Sequence, residues 1–245
     1  MTLFESSAKP SRKLISTYML AIAALLAGVS PASAQVSLGA ASQFSVLGGT
    51  NVTCTGGSVV IGDIGVSSGS FTNTGCTVGG GSPPATNSAA VQAQTDLLTA
   101  YSSLQSTPCT QTIVTAASTG NVPPLGPLAP GVYCFPAGAT FTATTLTLNG
   151  PSDGVWIFKI GAALTGTNFS VVMAGNGQPC NVFWSVGDAA TMTTSSIKGN
   201  IVAGNTADGS ITLTGGSIAG RALASVALTL TGTTVTGCAA LTGGC

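Results

Sequence analysis

No histidine occurs in the 245 residues, so a Ser-His-Asp relay is impossible. Beyond residue 34 the acids are Asp63, Asp96, Asp153, Asp188 and Asp208, no two of them within a few residues of each other. The paired carboxylates that glycoside hydrolysis needs therefore have no sequence signature. Asp63, in Gly62-Asp63-Ile64-Gly65, reads as a corner-turning or hydrogen-bonding acid and not as a general base. The seven cysteines contain no C-x-x-C pair, and no histidine is present to complete a zinc site. No catalytic residue, metal or cofactor is expected, and the chain is not read as an enzyme.

What remains is threonine, recurring as Thr-apolar-Thr. The triplets are Thr145-Leu146-Thr147, Thr191-Met192-Thr193, Thr212-Leu213-Thr214, Thr229-Leu230-Thr231 and Thr234-Val235-Thr236. In a strand the two threonines of a triplet point the same way, about 6.7 Å apart, which is twice the rise per residue. Where strands stack, the next pair lies about 4.8 Å away. The product is a grid of methyl and hydroxyl groups that can order water into a pattern resembling a crystal plane of ice. Charged side chains would bind water in their own geometry and spoil that order. Only 5% of this chain is charged, against roughly 25% in a typical soluble protein. Threonine is also an ordinary residue on the exposed side of a strand. The triplets alone therefore suit a non-catalytic structural or adhesive surface protein as well.

The elements that must carry these residues are mostly short strands. Phe44-Ser45-Val46-Leu47, Val59-Val60-Ile61, Val132 to Phe135, Val155 to Ile160 and Val182 to Val186 are β-branched and aromatic, each bounded by Gly, Asn or Pro. Leu146 and Leu148, Ile211 and Leu213, and Leu228 and Leu230 alternate with threonine, giving one buried and one exposed side. A helix is expected over about 88–106, capped by Asn87 or Ser88, with Ala90, Ala93, Leu97, Tyr101 and Leu104 on one face. It needs a sheet to cover. An antiparallel sandwich or a solenoid fits so many short strands. Glycine-rich corners and recurring triplets favour the solenoid, although the triplets are unevenly spaced.

The first residues read as a secretory signal. Lys9, Arg12 and Lys13 precede an apolar run from Leu14 to Val29, and Pro31-Ala32-Ser33-Ala34 places cleavage after Ala34. One domain, 35–245, would follow in an oxidising compartment, where cysteines pair. Cys54 with Cys76 and Cys109 with Cys134 are the pairs closest in sequence, and Cys180 with Cys238 is a further candidate that leaves Cys245; sequence alone leaves the connectivity open. No cluster of Lys and Arg offers a footprint for nucleic acid or an anionic membrane, and no later segment is apolar enough to insert in a bilayer.

Several longer stretches resemble the bacterial and fungal ice-binding-protein family of the DUF3494 type. They include Leu38-Gly39-Ala40-Ala41-Ser42-Gln43-Phe44-Ser45-Val46-Leu47-Gly48-Gly49 and Gly62-Asp63-Ile64-Gly65-Val66-Ser67. Leu128-Ala129-Pro130-Gly131-Val132-Tyr133, Val155-Trp156-Ile157-Phe158-Lys159-Ile160-Gly161 and Cys180-Asn181-Val182-Phe183-Trp184-Ser185-Val186-Gly187 follow in order. Gly199 to Ala203 and Gly220 to Ala224 complete the series. The resemblance implies an irregular, three-faced, right-handed β-solenoid with a long helix alongside, its turns not stacked in chain order. It also implies a secreted antifreeze protein that binds an ice crystal surface through one flat face. A monomer is expected, although sequence does not show the oligomeric state and Cys245 could permit a covalent dimer. The ten triplet threonines are the expected ice-binding residues. Some members carry T-A/G-x-T/N there, matched by Thr142-Ala143-Thr144-Thr145, Thr165-Gly166-Thr167-Asn168 and Thr231-Gly232-Thr233-Thr234. A fourth match, Thr74-Gly75-Cys76-Thr77, contains a cysteine expected in a disulfide and reads as chance.

Overall fold

Alternation of buried and exposed residues divides the chain into coils of three strands each, with a bend at every corner. The computed structural model describes residues 36–79, 88–116 and 120–241. The expected signal, the Asn87 cap and Cys245 lie outside those residues. Two N-terminal coils come first: β1 (Phe44–Gly48), β2 (Asn51–Thr55) and β3 (Val59–Ile61), then β4 (Asp63–Val66), β5 (Ser70–Thr74) and β6 (Thr77–Val78). Helix α1 (Ser88–Ser106) and β7 (Gln111–Thr112) lead to the main stack. It contains β8 (Gly131–Phe135), β9 (Ala139–Thr142) and β10 (Thr145–Gly150), followed by β11 (Trp156–Ile160), β12 (Leu164–Thr167) and β13 (Ser170–Gly175). Next come β14 (Val182–Val186), β15 (Ala190–Thr193), β16 (Ser196–Ala203), β17 (Ile211–Thr214), β18 (Ser217–Ala224), β19 (Ala227–Thr231) and β20 (Thr234–Thr236).

Every paired ladder is parallel, and equivalent strands of neighbouring coils lie side by side. This is the solenoid expected above, and the antiparallel sandwich is ruled out. One ladder runs β8–β11–β14, through the second half of β16 and of β18, to β1 and β4. A second holds β9, β12, β15, β17, β19, β2 and β5. The third holds β10 and β13, the first halves of β16 and β18, then β20, β3 and β6. β16 and β18 turn from the third ladder into the first at Gly199 and Gly220, whose φ values of 114° and 146° only glycine adopts readily.

The coils are not stacked in chain order. β1, β2 and β3 pair with β18, β19 and β20, so the first coil sits on the last. The uneven spacing of threonines has a different source, because coils stacked in chain order differ in length: Thr165, Thr191, Thr212 and Thr229 are in register. The core between the ladders is built of stacked side chains: Phe158 lies 4.1 Å from Trp184 and Phe141 4.3 Å from Phe169, centroid to centroid. A separate apolar layer lies under α1, where Ala90, Ala93, Leu97, Ala100 and Leu104 meet Leu47, Ile157, Phe183, Val202 and Leu223. The helix therefore covers the first ladder, its bounds and inner face as the periodicity indicated, with Tyr101 half-buried at its edge. Disulfides join Cys54 to Cys76, Cys109 to Cys134 and Cys180 to Cys238. No helix among the described residues is long and apolar enough to cross a membrane.

Candidate functional site: a threonine-bearing sheet face

The second ladder places threonine beside threonine from end to end. Thr140, Thr165, Thr191, Thr212, Thr229, Thr53 and Thr72 form one column, each in register with the next. Thr142, Thr167, Thr193, Thr214, Thr231, Thr55 and Thr74 form the second. Where the residue between a pair is apolar it points inward, which is why Phe141, Met192, Leu213, Leu230 and Cys54 are buried while their flanking threonines are not; Asn73, on the terminal strand, is exposed. Six intervals of about 4.8 Å make the columns roughly 29 Å long. Neighbouring hydroxyls can also meet: Thr55 Oγ1 and Thr231 Oγ1 lie 3.1 Å apart, and Thr55 Oγ1 donates to the Leu230 carbonyl at 3.2 Å.

Corner geometry ends each rung at the same point. The residue after the second threonine takes a left-handed conformation, at Ala143, Asn168 and Thr194 with φ of 49°, 50° and 50°. Glycine serves the other coils, as at Gly232 with φ of 62°. Small polar side chains satisfy the corner backbone. Ser195 Oγ accepts from the Phe169 amide and donates to the Thr193 carbonyl. Ser58 Oγ donates to the Thr55 carbonyl and accepts from the Thr233 amide, and Thr233 Oγ1 donates to the Gly215 carbonyl. Polar backbone groups of the corner are thus satisfied by serine and threonine side chains of the corner itself.

None of the seven strands carries a charged residue, and their aromatic residues, Phe71 and Phe141, take inward positions. The charged groups lie elsewhere. Lys159 Nζ donates to the Thr107 carbonyl just beyond the end of α1, Asp96 on α1 accepts from the Ala40 amide, and Arg221 is in the helix-covered ladder. Lys198 stands on the third ladder. The titratable groups that are shifted lie on other elements: Tyr101 on α1, Tyr133 on β8 and Arg221 on β18. Burial raises the hydroxyl pKa of Tyr101 and Tyr133, and burial lowers that of Arg221. No group of three or more metal-ligating side chains is present among the described residues.

The structure splits the ten threonines singled out in the sequence. Thr191, Thr193, Thr212, Thr214, Thr229 and Thr231 lie together on the second ladder. Thr145 and Thr147, on β10, and Thr234 and Thr236, on β20, are on the third ladder, around the corner, which corrects the single-face expectation. The reason is the bend at Ala143 and at Gly232: both sides of a corner alternate threonine with an apolar residue, and only the bend separates them. That third ladder is mixed, with Val172 and Ile61 exposed and Lys198 on the same ladder.

Eight threonines of the two columns escaped the triplet pattern, at 53, 55, 72, 74, 140, 142, 165 and 167. Their central residues are Cys54, Asn73, Phe141 and Gly166, which do not read as aliphatic partners. A usable signal was present, a threonine followed by a left-handed residue and, two positions later, Ser or Thr. Thr74-Gly75-Cys76-Thr77 is one such corner, with Gly75 at φ of 84°, and so it is no chance match.

The family model described as Ice-binding-like matches residues 46–236. An ice-binding protein of Nostoc sp. (strain HG1) is 38% identical over 189 residues, which are 73% of this chain and 64% of that relative, so the chain spans under two thirds of the relative's length. Among solved structures, an ice binding protein from an Antarctic Biological Consortium aligns with a TM-score of 0.72 at 27% identity, covering 84% of this chain and 93% of that one. An ice-binding protein from the ascomycete Antarctomyces psychrotrophicus aligns with a TM-score of 0.67 at 29% identity, covering 82% and 98%.

Proposed function

The chain belongs to the ice-binding-like family, and from that premise we propose that it adsorbs to ice through the two threonine columns of its second ladder, without catalysis. The observation that carries this reading is the unbroken register of fourteen threonines on seven strands, with no charge among them. Each threonine contributes a methyl that cannot hydrogen-bond water and a hydroxyl that can. Repetition at fixed spacing imposes one arrangement on the water above, and that layer merges with the crystal. Stacked aromatics behind the face hold the spacing rigid, so little order has to be created on contact. A crystal front pinned between adsorbed molecules must curve to advance, which slows growth and recrystallisation.

The protein is read as exported, its signal removed after Ala34, and as working in an oxidising medium that suits three disulfides. Thermal hysteresis and recrystallisation inhibition of the chain beginning at Gln35 test the proposal, with Thr214→Tyr as the variant. Activity in the parent and its loss in the variant support the face. An inactive parent, or equal activity in both, rejects it.

A further inference from the structure

The two columns are continuous only because β2 and β5, from the start of the chain, sit on β19, near its end. Within the main stack, chain connectivity through short corners sets which residue pairs with which. Between β19 and β2 there is no such constraint. Both strands alternate outward threonine with an inward residue, so a slip by two residues would keep every side chain on its own face. Contacts outside the ladder bear on the register seen, among them the corner bond from the Thr233 amide to Ser58 Oγ and, on the first ladder, one arginine.

That arginine is Arg221. It stands at the start of the part of β18 that receives β1, where Ala222 pairs with Val46 and Leu223 with Leu47. Its Nε and Nη2 both donate to the carbonyl of Ser42, at 3.0 and 2.8 Å, two residues before β1 begins. Its Nη1 donates to Asn200 Oδ1 at 3.0 Å. Asn200 is fully buried and in turn donates to the carbonyls of Cys180 and Val182, at 3.0 and 3.1 Å. The incoming segment is thereby tied through one guanidinium to the coil beneath. From the other side, the Ala40 amide donates to Asp96 Oδ2 on α1 at 2.7 Å. A guanidinium suits this because its donors lie in a rigid fork; an ammonium is a point charge.

We propose that Arg221 is a positioning residue that fixes the register of the N-terminal coils on β18 and β19, so that Thr53, Thr55, Thr72 and Thr74 prolong the threonine columns. The contribution to ice adsorption rests on the function proposed above; the structural part does not. The test is amide hydrogen exchange by mass spectrometry on the full chain carrying Arg221→Gln or Arg221→Lys. Arg221→Lys, which keeps the charge, is the variant read if the other does not fold. Exchange across 44–78 is expected to rise at least about tenfold while 156–193 is unchanged. Thr53→Tyr is expected to reduce ice activity in the parent but to add little in the Arg221→Lys background. Unaltered exchange, or an equal rise in both regions, overturns the positioning role, as does Thr53→Tyr costing the same in both backgrounds. A parent without ice activity rejects the functional reading alone, because the exchange result stands without it.

Discussion

Placing one tyrosine at different rungs of the face should reduce activity according to its position. β17 is the fourth of the seven strands, so a phenol ring at Thr212 stands at the centre of a column roughly 29 Å long. Flush contact with a flat crystal plane is then limited to the three rungs on one side or the other. At Thr72, on the terminal strand β5, the same ring can overhang and leave six rungs in contact. If adsorption free energy scales with rungs engaged, Thr212→Tyr keeps less than half of it and Thr72→Tyr keeps most. Thr147→Tyr, on the third ladder, should cost nothing. All three positions are at least partly exposed, so stability should stay within about 0.5 kcal/mol of the parent, which thermal unfolding can verify. The assay is thermal hysteresis at matched concentration. Equal losses at Thr212 and Thr147, or a greater loss at Thr72 than at Thr212, would refute the reasoning.

Other expectations follow from the scaffold. Phe158→Ala removes the partner stacked 4.1 Å from Trp184 and should cost about 3–5 kcal/mol in denaturant unfolding. Thr194→Gly relieves a β-branched residue at φ of 50° and should stabilise by about 0.5–1 kcal/mol after the entropy cost of glycine, measured by the same unfolding. Breaking Cys180–Cys238, with a sequence separation of 58, should cost about 4 kcal/mol, and Cys54–Cys76, with a separation of 22, about 3 kcal/mol, by loop-entropy reckoning. Burial raises the pKa of Tyr101 and Tyr133 from 10.0, so their folded forms hold the proton longer than the unfolded chain does. That stability is fully present below pH 10 and is lost as pH rises through the raised values, so the unfolding temperature should fall on the alkaline side. A midpoint indifferent to pH in that range would contradict it.

Much of the fold was legible because period-two alternation and period-3.6 alternation are local. The helix over Ser88–Ser106 and the inward set at Leu146, Leu213 and Leu230 follow from residues near one another in sequence. Cys54–Cys76 and Cys109–Cys134 matched the pairs closest in sequence, whereas Cys180–Cys238, with a separation of 58, had no local signal. The stacking order was not local, since β1 meets β18 across most of the chain, and only the family resemblance pointed to it. The face was half legible. Where Leu or Met separated two threonines, the rung was found; where Cys54, Asn73, Phe141 or Gly166 did so, it escaped the triplet pattern, although Thr142, Thr165 and Thr167 fall in matches to the T-A/G-x-T/N element. Thr145 and Thr234 were misplaced because a strand pattern says which residues share a side, not which of several sheets that side belongs to. The bend that decides this, at Ala143 and Gly232, is one backbone dihedral wide.

Incorporation into a slowly growing ice shell tests the central claim most directly. The chain beginning at Gln35, and a variant with Thr191→Lys and Thr214→Lys, would be cooled together from dilute solution and the ice and liquid fractions assayed. A threonine face that adsorbs to ice requires the parent to be enriched in the ice and the variant to remain in the liquid. Exclusion of the parent along with ordinary solutes, or equal enrichment of both, would contradict it.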